Sequence, residues 1–258
     1  MSTSKTNPVY ALIKKEWLYN RGRILPLSIG LAIFGVLTVG MLMILPDILP
    51  MIEGLMPELT PEMAIQSYMN NVNSIVSIIA VILCADAIAG EREQNTLVLI
   101  RTKPIPIYSI VLTKLFARYI ILLIGTIVGA LSAYLFTFLL VGPPDIGSLL
   151  LSLAVYTLIL FMYMSIGMLI STIAKSQISA GAISAGIVLM ISLVSAFLVF
   201  DSIINYNAFQ LSTNLLLRDF TPLTIVLNCV ALFIIGSILT IVTIILFESE
   251  KEPVRKNI

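Results

Sequence analysis

Histidine is absent from this 258-residue chain, and cysteine occurs twice, at Cys84 and Cys229. Without histidine, a rhomboid-like or metalloprotease mechanism has neither base nor ligand, and two cysteines in separate apolar stretches support no disulfide framework and no Cys/His metal site. Both cysteines read as small buried hydrophobes. Gly-Ala-Ile-Ser-Ala-Gly at 181 to 186 also misses the Gly-x-Ser-x-Gly spacing of a nucleophile elbow. No Gly-Lys pair occurs anywhere, so the phosphate loop Gly-x-x-x-x-Gly-Lys-Ser/Thr is missing and any ATP-driven work falls to a partner. Charge is scarce as well, at 11% of residues against roughly a quarter in a soluble domain. Too little of it remains to cover a water-facing surface.

What fills the chain instead is hydrocarbon, with 59% apolar residues and a mean hydropathy of +1.05. Six windows carry no charge: 24 to 46, 63 to 85, 119 to 144, 146 to 174, 176 to 200 and 220 to 247. Each exceeds the ~18 residues at which a membrane-spanning helix becomes the default reading, since about 20 residues cross a ~30 Å hydrocarbon layer. The sequence therefore predicts an all-α membrane protein, a single domain over 1–258. Its spans are expected at about 24–45, 72–89, 117–141, 149–173, 178–200 and 222–247. The second is shifted inward because its window opens on Gln66, Ser67, Asn70, Asn71 and Asn73. The stretch from Ile24 to Leu45 is too long for a signal-peptide core and lacks a small-residue cleavage site, so it is expected to be retained.

The placement of charge sets an expected orientation. With the N-terminus in the cytoplasm, fourteen of the fifteen lysines and arginines fall on the inner side and only Arg218 on the outer. Short loops rich in Lys and Arg stay inside, so both termini are expected to be cytoplasmic in the cell membrane. The outer connections are sparse and acidic, with Asp47, Glu53, Glu58 and Glu62 in the first and Asp145 in the turn after Pro143-Pro144.

Residues 8–23 place Val9, Leu12, Ile13 and Trp17 at helical spacing among Lys14, Lys15 and Arg21. That pattern predicts an amphipathic helix lying in the inner interface, the alternative being a plain basic flank with one interfacial Trp. Between the second and third spans, Leu97 to Ile100 form an apolar run too short to cross, and Pro104 and Pro106 end it. Such a run must lie against the membrane or against another protein. Asp86, near the end of the second span, is either a proton or cation site or a partner of Lys114 or Arg118; the spacing favours the pairing. Gly125, Gly129 and Ala133 recur every fourth residue in the third span, and Gly181 and Gly186 lie in the small-residue start of the fifth; such stripes pack helices within a chain or form a dimer seam. The outer segment Ile203 to Phe220 is expected to be re-entrant or interfacial.

One segment carries a family likeness. The order Glu91-Arg92-Glu93-Gln94-Asn95-Thr96-Leu97, Lys103-Pro104-Ile105-Pro106 and Thr113-Lys114-Leu115 resembles the type-2 ABC transporter permeases, most closely the subgroup around multicopper-enzyme maturation. The likeness is residue-specific over about 88–116 and architectural over the rest. It implies that the inner connection carries a coupling helix near 91–103 that docks into a separate cytoplasmic ATPase subunit. Glu91, Arg92, Glu93, Asn95, Thr96 and Leu97 would belong to the coupling region, and Pro104 and Lys114 to its return. It further implies a permease that pairs with itself or a paralogue, most simply an exporter, with no catalytic residue, cofactor, metal or nucleic acid of its own. Asn95 stands where the family often has Gly, and Asn accepts a left-handed backbone better than most residues. An Arg that commonly follows the Pro is replaced here by Pro106 and Ile107. The competing functions are an ATP-independent carrier or channel, which would need polar or charged groups at mid-bilayer where the spans offer only Ser, Thr, Tyr and Asn, and a membrane assembly factor without transport.

Overall fold

Helices are what such a sequence must form, because in hydrocarbon a backbone can satisfy its polar groups only within its own segment. The computed structural model describes residues 8–48, 59–97, 105–197, 207–217 and 220–249, and among them there is no strand. The helices are α1 (Pro8–Asn20), α2 (Ile24–Ile48), α3 (Pro61–Ala85), α4 (Ile107–Leu140), α5 (Ile146–Ile173), α6 (Gln177–Phe197), α7 (Leu211–Asn214) and α8 (Pro222–Ser249). Six helical runs are long and apolar enough to cross a membrane, the first of them the 38 residues Pro8–Leu45, in which α1 passes through a 3₁₀ turn at Arg21–Arg23 into α2.

The ends are set by local chemistry. Thr60 caps α3, its hydroxyl accepting from the Met63 N–H at 3.3 Å, and Pro61 follows at the first helical position. Asp145 caps α5 by accepting from the N–H groups of Gly147 at 3.2 Å and Ser148 at 2.8 Å. These bonds and the Ser148 hydroxyl hold the Asp145 carboxyl below its ordinary range. α3 thus starts well before residue 72. Its N-terminal half is helical despite five polar residues because Ala64, Ile65, Tyr68, Met69 and Val72 pack inward and leave the polar side chains on the other faces.

α3 and α5 are the most buried crossings, and α2 and α6 the least. α3 packs against α2, α4, α5 and α6, while α5 also supports α8. α2 and α4 run in the same direction: Leu27 and Leu31 lie over Gly125, Gly35 lies over Gly129, and the Ser132 hydroxyl donates to the Ala32 carbonyl at 2.9 Å. Gly129 also faces Tyr68 of α3. Gly181 meets Ala85 at ordinary contact distance, and nothing approaches Gly186. Small residues absent from the expected stripes act likewise, Gly167 against Val81 and Cys84 and Gly236 against Phe161.

At the end opposite the charged connections, residues 207–217 insert between α3, α5 and α6. Asn73 donates from Nδ2 to the Phe209 carbonyl at 2.8 Å, Ser152 bonds the Ser212 carbonyl, and the Phe209 ring lies 5.9 Å from that of Tyr163. Asn73 is about 18 Å along α3 from Pro61 at ~1.5 Å per residue, so this irregular backbone reaches well into the bundle. It is tolerated there because it is enclosed by protein.

Candidate functional site

The charged residues gather at one end of the bundle, and they do so because α3 does not stop at Ala85. A π turn, Asp86–Gly90, continues it into a single turn, Glu91–Glu93. A π turn widens the helix and leaves backbone groups unpaired, and a side chain of α5 pairs them. The buried Ser171 hydroxyl accepts from the N–H groups of Ile88 at 3.1 Å and Ala89 at 3.0 Å while donating to the Ala85 carbonyl at 2.9 Å.

The turn that follows ends in a Schellman arrangement. Thr96 N–H donates to the Glu91 carbonyl at 2.9 Å, Asn95 N–H donates to the Arg92 carbonyl at 3.1 Å, and Asn95 takes φ +56°, the left-handed backbone that the motif requires. Asn95→Gly is accordingly expected to be neutral or slightly stabilising. Asn95→Val is expected to cost about 1–2 kcal/mol, because a β-branched residue is strained at that φ. Thermal unfolding of the two variants side by side checks this; equal midpoints would mean the turn is not left-handed.

Around this turn the three predicted charges point to three places. Glu91 accepts from Lys114 Nζ of α4 at 2.7 Å. Arg92 donates to the Thr172 carbonyl at 2.6 Å and to that of Ala174, the free carbonyls at the end of α5. Glu93 accepts from the Gln177 N–H, the first of α6, at 3.0 Å. A cation at a helix C-terminus and an anion at an N-terminus both oppose the macrodipole, contributing about 0.3–1 kcal/mol each. Thr96 donates from its hydroxyl back to the Glu91 carbonyl at 3.2 Å, and Leu97 is buried. Pro104 lies outside the described residues.

Lys114 in turn opens a larger network. Its ammonium also lies 3.1 Å from Glu16 of α1, whose second oxygen is 3.5 Å from Arg118. Arg118 donates from Nε to the Leu83 carbonyl at 2.9 Å and from Nη2 to Asp86 at 3.0 Å; the other oxygen of Asp86 accepts from Arg23 at 2.9 Å. Lys15 adds a contact to Glu91 at 3.6 Å. Glu16, Lys114 and Arg118 are each 2% exposed, so these are buried ion pairs. They border a cavity of about 300 Å³ that Gln94, Thr96 and Gln177 also line.

Of the two partners expected for Asp86, Lys114 and Arg118, it is Arg118 that pairs with it, while Lys114 goes to Glu16 and Glu91; Glu16, Arg23 and Ser171 are additions. Glu16 had one signal in the sequence: it is the sole acidic residue before Asp47. α1 buries Leu12, Glu16 and Asn20, spaced four apart, against α4. Of the apolar stripe read from sequence, Leu12 turns inward, Val9 is half-buried, and Ile13 and Trp17 stay exposed. Among the described residues no cluster of acids and cysteines could hold a metal. The junction offers no nucleophile paired with a base. What it does is join elements: the turn at 91–97 is tied to α1, α3, α4, α5 and α6 together.

A family model described as ABC-2 family transporter protein matches residues 12–247. No curated protein matches the chain.

Proposed function

We propose a working scheme for this chain, which belongs to the ABC-2 family of transporter proteins and is the membrane-spanning subunit of an ABC transporter, without catalytic activity of its own. In this scheme the charged end faces the cytoplasm, a separate ATPase subunit grips the connection near 91–103, and its ATP-driven closure tilts the helices. The observation that carries the reading is the three-way clamp of Glu91, Arg92 and Glu93 onto α4, α5 and α6. A lever joined to one helix would bend that helix alone; this one is fastened to the ends of several. The bias of Lys and Arg toward that end supports a cytoplasmic placement.

The working unit is a dimer, of this chain with itself or with a paralogue. Asn70, Asn71 and Ser74 of α3 are exposed on a helix that crosses the membrane. Amides turned toward lipid are costly, which supports a second subunit or a water-lined path against that strip. Export is proposed from the family likeness alone, as is any tie to the maturation subgroup.

Docking is tested with Glu93→Lys, which alters an exposed side chain, and with Glu91→Lys/Glu93→Lys. Both are expected to reduce recovery of a co-purifying nucleotide-binding subunit by roughly tenfold or more, because the charge that the turn offers to a partner is reversed. Recovery equal to wild type from both variants, with the membrane subunit folded, would remove the lever. ATP-independent flux by the purified chain alone in liposomes would favour a carrier instead.

A further inference from the structure

The face of α1 turned away from the bundle carries a pattern that the charged junction does not use. Leu12, Glu16 and Asn20 turn inward against α4. On the free face Tyr10, Lys14 and Trp17 follow one another at intervals of four and three, and Arg21, at the start of the 3₁₀ turn, comes four residues later; all four are exposed. Two cations thus alternate with two aromatic rings along about 16 Å of helix, at ~1.5 Å per residue.

The charges on this face are uncompensated. Lys15 and Arg23, their neighbours in sequence, are engaged by Glu91 and Asp86. Lys14 and Arg21 have no ion-pair or hydrogen-bond partner among the described residues. The one acid of α1, Glu16, faces Lys114 and Arg118, and α4 contains no acid at all.

The depth of the face in the bilayer follows from α4. Arg118 precedes Leu140, where that helix gives way to the turn 141–145, by 22 positions. At ~1.5 Å per residue that is about 33 Å, close to the ~30 Å hydrocarbon layer. Glu16 lies 3.5 Å from Arg118, so it stands at the edge of this layer, and Trp17 stands there with it. Lys14 and Arg21 are at most four residues from Trp17, about 6 Å along the helix, which keeps them within a headgroup zone about 5–7 Å deep.

We infer that this face of α1 holds an anionic phospholipid, of the phosphatidylglycerol class, with its phosphate between Lys14 and Arg21 and its glycerol backbone against Trp17 and Tyr10. The two free cations set the sign of the headgroup. The rings select a lipid over a free phosphate, because Trp and Tyr settle where headgroups meet acyl chains. A zwitterionic headgroup would bring its own ammonium onto a face with no carboxylate to receive it.

Trp17, the sole tryptophan of the chain, reads the site directly. The full chain is reconstituted in mixed phosphatidylglycerol and phosphatidylcholine bilayers, with brominated acyl chains on one lipid or on the other, and quenching of Trp17 gives the relative association of the two. Wild type is expected to favour phosphatidylglycerol by about fivefold or more, since each basic residue near an anionic surface is worth roughly that factor. Lys14→Gln/Arg21→Gln is expected to bring the ratio close to one without moving the thermal midpoint, because neither side chain is paired within the protein. Lys175→Gln, which removes an exposed cation from the α5–α6 connection, is expected to leave the ratio as in wild type. A ratio near one in wild type would overturn the proposal, as would a preference that survives in the folded double variant. A loss in Lys175→Gln equal to that of the double variant would overturn it as well, by showing attraction to the whole charged surface in place of a site on α1.

Discussion

Arg118→Met is expected to destabilise the protein by about 3–5 kcal/mol, although methionine is the more apolar residue and Arg118 is almost wholly buried. The reason lies in what the substitution leaves behind. Asp86 loses two donors from Arg118, at 3.0 and 3.2 Å, and among the described residues keeps Arg23, while Glu16 keeps Lys114 but loses Arg118, and the Leu83 carbonyl loses its donor. Carboxylates held in a largely buried site with half of their cationic partners gone lose much of what offset their desolvation. Lys114→Met should act in the same direction, since it strips the shared cation from Glu16 and Glu91. The decisive measurement is a cycle: Glu16→Gln combined with Lys114→Met should be less damaging than the two single losses added together, by about 1–3 kcal/mol. Unfolding midpoints in detergent read all three variants, and strict additivity would mean that Glu16 and Lys114 do not share a network. Because that network ties α1 to α3 and α4, the same variants should loosen α1 first, and the single tryptophan, Trp17, reports on it.

Six crossings were legible because charge is excluded from hydrocarbon, so counting uncharged windows is nearly a physical measurement. That Asp86 pairs with a cation of the third crossing was legible too, since both had to be satisfied near one membrane face, but the choice of Arg118 over Lys114 was not. The rest depended on contacts between distant parts of the chain. Glu16 meets Lys114 across 98 positions, and Arg92 reaches Thr172 across 80. Nothing local marks Ser171 as the residue that completes a π turn, because serine is common in apolar helices for other reasons. The helical start of α3 is not legible for a related cause. Its polar residues look like the edge of a loop until residues 207–217 supply a carbonyl for Asn73. Asn95 shows the opposite case: it stands where the family often has Gly, and its tolerance of a left-handed backbone fits the turn observed there.

Gly129→Val is expected to be strongly damaging to the packing of the crossings, at about 3 kcal/mol or more, with poor accumulation of folded protein. A Cβ at this position would stand 3.0 Å from the Leu31 carbonyl oxygen and 2.6 Å from the Tyr68 hydroxyl, so it meets backbone on one side and a fully buried ring on the other. A flexible side chain could yield; a helix backbone can do so only by moving α2 away. In water that separation would be resisted by the hydrophobic effect, but in lipid the medium between the helices is as apolar as the helices themselves, so close contact is the attraction and its loss is not made up. Gly186→Val supplies the control, because nothing lies within 4 Å of its Cβ, and it should shift stability by no more than about 0.5 kcal/mol. Comparing the thermal midpoints and folded yields of the two variants separates a packing effect from a general intolerance of valine. A folded Gly129→Val with a midpoint near wild type would show that α2 and α4 are not in the close parallel contact described.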